Sequence, residues 1–363
     1  MHNVPLLLGA QCSRYSARVR SCLIKKNIQY VERVPTLWTY KWTIARRFGD
    51  AQIPVLIMPD GEWLYDSSAI VDRLELMYPD TPMLPADPVH AVLAQLLDLW
   101  GSEMWVAYDL PARWIHAENY PWWREELGEG MFPGFAKRLK NRASDHVAAM
   151  IRSRLPDVGY SAADWPAIET WAERLMAALD AHFATHPYLL GANPTRADLG
   201  LICGFYGHIV QDRWTRREVL PRFPHLHAWI WRMNRPELEP AAPRSSVVAE
   251  TLEPVLASVF GEFIAYLQAT YEALCRLPTN PVAGSRLPRF LGPITVDLGT
   301  GSVTRSAQSN NLWRLRRILD FIDALPVDGA ARVREALHEH GGGGLLDMRI
   351  APLAAAGLAA RWC

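Results

Sequence analysis

Three short segments hold residue types that could do chemistry together. In Cys12-Ser13-Arg14-Tyr15-Ser16-Ala17-Arg18-Val19-Arg20, a thiol and a hydroxyl stand side by side just ahead of a basic amphipathic run. A hydroxyl or thiol at a helix N-terminus meets unpaired backbone N–H groups and the positive end of the helix dipole, which favour an anion there. Plain helix capping is the commoner use of a serine in that place. The second segment is Gln52-Ile53-Pro54-Val55, with a proline heading an apolar run. Such a proline suits a cis peptide that leaves the preceding backbone open to an extended peptide; the bland alternative is a strand-edge proline. The third is Asp66-Ser67-Ser68. Ser67 and the amides behind it can hold a carboxylate, and Asp66 an ammonium, although both residue types are also ordinary caps.

The elements around these segments are legible from patterning. Residues 4–8 form a short apolar run that predicts a buried strand, and 16–27 carry Val19, Cys22 and Leu23 at helical spacing. Residues 28–34 alternate as a strand does. IPVLIM-PDG-EWLYD reads as a hairpin, followed by a helix capped by Ser67 or Ser68. Strand, helix, strand, loop, strand, strand, helix within about 80 residues fits an α/β layer. The proline-rich stretch 80–88 reads as a linker, and strand signals then stop. Long helices are predicted over 89–109 and 165–183. The stretch 118–134 is aromatic and broken by Gly and Pro. In LLGANPTRADLGL, Thr195 caps a helix and Asp198 reaches back to its backbone N–H. A second linker is expected at 237–248. Beyond it lie a helix over 249–275, two strands over 293–305 joined at GTGS, helices over 310–324 and 328–339, the break GGGG at 341–344, and an Ala-rich tail.

Composition narrows the function classes. In 363 residues, 38 Lys plus Arg balance 38 Asp plus Glu, and half the residues are apolar. That is a globular balance and argues against a nucleic-acid binder held by bulk positive charge. Five scattered cysteines without metal-ligand spacing read as free thiols, with no metal expected. No signal-peptide pattern and no long apolar run are evident, so a cytoplasmic protein with no membrane partner is expected. Tryptophan is abundant, at fifteen; large aromatics mostly fill cores, and a surplus can also line an apolar cleft.

In order and spacing, SRYSARVR, QIPVL, YDSSAIVDRLE, LLGANPTRADLGL and FPHLHAWIWRM resemble segments of the glutathione transferase family, over about residues 4–236. The resemblance implies an α/β plus all-α fold: a thioredoxin-like domain over 1–80 and a helical domain over 89–238. Residues 249–363 are left as a mixed α/β extension of unknown role. It implies glutathione as co-substrate, an electrophilic partner substrate and a homodimer. Ser13 takes the catalytic position, although Arg14 stands where the family's segment usually has proline. Cys12, one residue early, keeps open a reductase or dehalogenase chemistry, and a non-catalytic binding role is a further alternative. Glutathione would then be held by Gln52, Ile53 and Pro54, by Asp66 and Ser67 at the γ-glutamyl end, and by Lys41, or Arg46, at the glycine carboxylate. Tyr15, Trp105, Tyr108 and Trp114 would line the site of a bulky apolar or aromatic electrophile. Core packing is the commoner use of such an aromatic stripe.

Overall fold

The computed structural model describes residues 3–236, 248–277, 282–357 and 359–363. Most of the expected second linker, 237–247, therefore lies outside the described residues. The chain divides into two compact units: Met1–Met83 with Asp109–Arg154 and Leu201–Pro240, and Leu84–Tyr108 with Leu155–Gly200 and Ala241–Cys363. Residues 1–80 fall in the first unit and 249–363 in the second, while 89–238 contributes to both.

The first unit opens with β1 (Leu6–Leu8), α1 (Arg14–Lys25) and β2 (Val31–Arg33). After a π-type turn (Thr39–Ile44) come α2 (Ala45–Phe48), β3 (Val55–Ile57), β4 (Trp63–Tyr65) and α3 (Ser67–Met77). The sheet order is β2-β1-β3-β4, with β1 parallel to β2 and the other pairs antiparallel. This is the thioredoxin-like arrangement, and the short strands suffice because both faces are covered. Leu8, Val55 and Ile44 share one buried cluster, with Phe48 and Tyr65 packed against it. The unit also takes in most of α5 (Val106–Ile115), with α6 (Tyr120–Met131), α7 (Lys137–Arg152) and α10 (Pro224–Met233).

The second unit is built on α4 (Pro88–Glu103), α8 (Trp165–Phe183) and most of α9 (Arg196–Gly204). The remaining elements are α11 (Glu253–Ala257), α12 (Ile264–Cys275), the hairpin β5 (Phe290–Asp297)–β6 (Ser302–Gln308), α13 (Ser309–Asp323), α14 (Val327–Glu339) and the hairpin β7 (Leu353–Ala356)–β8 (Ala359–Trp362). Here the C-terminal extension is core rather than appendage. Arg314 of α13 is buried against Ser102 (2.7 Å) and Glu103 (3.0 Å), and Arg305 of β6 reaches the Glu103 carbonyl (3.1 Å) and lies over the Tyr266 ring.

Several local expectations change. The run 89–109 is not one helix, because α4 ends at Glu103 and α5 begins at Val106. The broken stretch 118–134 is largely helical, as α6. Asp66, rather than Ser67 or Ser68, caps α3: its carboxylate accepts the Ser68 and Ala69 N–H groups. The Ala-rich tail pairs as β7–β8 although alanine is a poor strand former, its partner strand supplying the hydrogen bonds. Asp198 reaches back as expected and accepts the Thr195 N–H at 2.9 Å, while the Thr195 hydroxyl donates to the same carboxylate at 3.1 Å. Among the described residues no helix is long and apolar enough to cross a membrane.

Candidate functional site

The sheet register gathers the three chemical segments. Leu8 pairs with Val55, and Val55 with Tyr65, so these residues form one row across β1, β3 and β4. The chain leaves β1 after Leu8 toward Ser13, enters β3 just after Ile53-Pro54, and leaves β4 after Tyr65 at Asp66. All three segments therefore emerge at the same end of the sheet. The Ile53–Pro54 peptide is cis.

At that end Ser13 caps α1. Its backbone is extended (φ −99°, ψ 124°), and its hydroxyl oxygen accepts the Ser16 N–H at 3.3 Å. A hydroxyl that accepts through a lone pair keeps its own hydrogen for another acceptor. Ser13 is half-buried and can be reached, whereas Cys12 is buried. Burial pushes the Cys12 thiol up to about 12, against the pull of nearby Arg113, and leaves it protonated near neutral pH. The Tyr40 phenol is also pushed up by burial, with Cys12 and Tyr65 close by.

Beneath Ser13 lies a buried polar cluster. The Arg113 guanidinium donates to the Cys12 carbonyl (2.8 Å), to the Gly207 carbonyl (2.8 Å) and to both Asp212 oxygens (2.9 and 3.0 Å). Arg14 lies 3.3 Å from Asp109, which is 2.7 Å from His208 Nδ1. Burial lowers the His208 ring to about 4, and it raises the Asp212 carboxyl to about 6 against the opposing effect of Arg113. The turn at Gly207 comes so close that an added Cβ would sit 2.7 Å from Arg14 Cα. Any residue but glycine would push the head of α1 aside.

Asp66 caps α3 from a left-handed backbone (φ 72°), and Ser67 behind it is buried. The buried Arg18 guanidinium of α1 donates to the Ser68 hydroxyl (2.9 Å) and the Ser67 hydroxyl (3.4 Å), tying the two helix starts together. Lys41 is exposed on the turn Thr39–Ile44, and Arg46 lies over the Trp42 ring at 4.6 Å. Gln52 donates to Asp50, and Tyr15 is half-buried on α1.

The remaining aromatic candidates are in core packing. Trp105 packs on Trp100 and Trp171, and Tyr108 stacks on Trp165, all in the second unit. Trp114, in the first unit, meets Trp123 edge-on and has Arg152 over its ring. Among the described residues no three His, Cys, Asp or Glu side chains gather as a metal-binding group.

The sequence reading missed Arg113, Asp212, Asp109, His208 and Gly207. A signal was present: Asp109/Arg113 and His208/Asp212 are i,i+4 pairs set in otherwise apolar runs, and a charge there needs a partner when buried.

With this geometry in hand, the relatives are informative. Family models described as "Glutathione S-transferase, N-terminal domain" and "Glutathione S-transferase, C-terminal domain" match residues 7–82 and 169–237. A probable maleylacetoacetate isomerase of Caenorhabditis elegans is 32% identical over 97 residues, which are 26% of this chain and 45% of that protein. Elongation factor 1-gamma 1 of Oryza sativa subsp. japonica is 24% identical over 191 residues, 52% of this chain and 35% of that protein. The chain thus spans less than half the length of either relative. The crystal structure of the glutathione transferase GSTFuA3 from Phanerochaete chrysosporium aligns with 66% of this chain and 100% of its own, at 18% identity and a TM-score of 0.45.

Proposed function

We infer, for a chain that carries both domains of the glutathione S-transferase family, that it activates the glutathione thiol with the Ser13 hydroxyl for attack on an electrophilic carbon. The observation that carries this reading is the placement of Ser13: a half-buried hydroxyl at the head of α1, its hydrogen still available, at the sheet end where Ile53-Pro54 and Asp66-Ser67 also emerge. In this reading Ile53 pairs its backbone with the cysteinyl unit, Asp66 and Ser67 hold the γ-glutamyl end, and Gln52 and Lys41 serve the remaining polar groups.

The magnitudes are sufficient. A free thiol titrates near ~8.5, and the thiolate is the nucleophile. Lowering that value by about two units takes roughly 2.7 kcal/mol of preferential thiolate binding. One hydrogen bond to a charged acceptor supplies about 1.5–3 kcal/mol, and the helix N-terminus about 0.3–1 kcal/mol more. The hydroxyl and the helix head together reach the requirement without a further base. The thiolate then attacks the electrophile held beside it, and the leaving group departs from carbon. A bulky apolar or aromatic electrophile alongside Tyr15, and action as a homodimer, complete the proposal. Cys12 is the weaker nucleophile, being buried and protonated.

Calorimetric titration with glutathione, followed by the ultraviolet absorbance of the bound thiolate against pH, tests the reading in wild type, Ser13→Ala and Cys12→Ala. Binding with a thiol pKa that rises only in Ser13→Ala supports it. Loss of activity confined to Cys12→Ala would transfer the chemistry to the cysteine. No binding at millimolar glutathione would eliminate both.

A further inference from the structure

We propose that Arg113 is a positioning residue for the Ser13 hydroxyl, acting by locking the peptide plane through which the chain enters α1; the proposal rests on the Ser13 reading above. The lock is visible atom by atom. The Cys12–Ser13 peptide is held on both edges: its oxygen accepts from Arg113 Nη1 at 2.8 Å, and its N–H donates to the Ala10 carbonyl at 3.1 Å. With that plane fixed and the hydroxyl accepting the Ser16 N–H, little freedom remains at Ser13. The same guanidinium donates from Nη2 to the Gly207 carbonyl, so one side chain staples the turn Phe205–Ile209 to the head of α1. Asp212 fixes the direction of the fork by accepting from Nε with both oxygens.

Stability alone is a poor account of this arrangement. A buried ion pair often contributes no more than apolar residues of the same volume, because desolvation offsets the attraction. What apolar residues cannot do is direct two backbone carbonyls at once. A planar guanidinium with donors in a rigid fork can do so, and an ammonium on a flexible stem cannot reproduce the fork. Reaction rates are sensitive to such placement, since a misplacement of about 1 Å can cost on the order of 100-fold.

Arg113→Lys and Arg113→Met in the full chain test the proposal, read by hydrogen exchange, by the thiol pKa of bound glutathione and by kcat against KM. In Arg113→Lys, exchange of the amides at 13–17 should rise about tenfold or more while the rest of the first unit keeps its protection. The bound thiol pKa should move toward its free value. Turnover should fall about 10- to 100-fold with KM changed less than about threefold, and adding Ser13→Ala should cost far less than it does in the wild type. Should Arg113→Met unfold, the uncompensated Asp212 explains it, and the lysine variant, which keeps a cation there, decides. Unchanged exchange at 13–17 and an unchanged thiol pKa in a folded Arg113→Lys would overturn the proposal. Failure of the wild type to bind glutathione would instead sink the Ser13 reading, with local exchange still reporting on the lock.

Discussion

Each compact unit buries arginines against carboxylates, and Arg113 and Arg314 end on different acceptors. In the first unit, Arg113 spends two of its donors on backbone carbonyls, those of Cys12 and Gly207, and Asp212 completes its shell. In the second, Arg314 meets side chains of one helix face, Ser102 and Glu103 directly and Asp98 at 3.6 Å, while Arg196 lies 3.7 Å from Asp98. A guanidinium bound to loop carbonyls sets where a backbone goes. One bound to a helix face sets which element packs there, here α13 on α4. The same chemistry therefore serves placement in one unit and attachment of the C-terminal extension in the other.

The sharpest way to break this comparison is Arg314→Met. It removes the cation paired with buried Glu103 and one of the two beside buried Asp98, and should cost roughly 3–5 kcal/mol in urea denaturation. If the extension is attached as described, tryptophan fluorescence from the second unit reports the loss. A cost below about 1 kcal/mol would reduce Arg314 to the value of a surface pair. Next is Ser13→Ala, which should lower turnover about 10- to 150-fold, the loss of one charge-assisted hydrogen bond. Stability should fall by only about 1 kcal/mol, the usual cost of removing an N-cap. Equal losses in both would mean that Ser13 is a cap and nothing more. Gly207→Ala should destabilise by about 1–3 kcal/mol, since its methyl would press on Arg14 Cα. It should also raise exchange at the head of α1, which a crowding effect spread through the unit would not do.

The smallest effect separates the units by pH. In the second unit, burial lowers His182 from 6.5 to about 4, with Thr251 and the Tyr188 carbonyl as its ring partners. The unfolded ring binds protons more readily, so stability falls as pH drops from 6.5 toward 4. In the first unit His208 acts in the same direction. Asp212, raised from 3.8 to about 6, acts in the opposite one, because the folded carboxyl there binds protons more readily than the unfolded. Thermal melts of His182→Gln should therefore show a flatter decline over that window than wild type. Parallel declines would contradict this account.

What could be read beforehand was local. The turn at PDG, the Thr195–Asp198 pairing and the helix after Ser13 depend on neighbours within four residues. The sequence points to Ser67 or Ser68 as the α3 cap, not Asp66, because the left-handed backbone that turns the Asp66 carboxylate onto the α3 amides leaves no mark in composition. The break between α4 and α5 fell inside a continuous apolar stripe, where periodicity has no means of marking an end. Trp105 and Tyr108 showed that an aromatic stripe alone does not separate cleft from core.

The sequence by itself determined the strands β1–β4, the Thr195–Asp198 pairing and the three chemical segments, because hydrogen bonds between near neighbours and alternating burial are written in short windows. Only the tertiary structure decided that Leu8, Val55 and Tyr65 share a row and that Arg113 sits under the Cys12 carbonyl, 101 positions away along the chain. A buried charge must find its partner wherever the fold delivers one, and the residue types alone do not say where that will be.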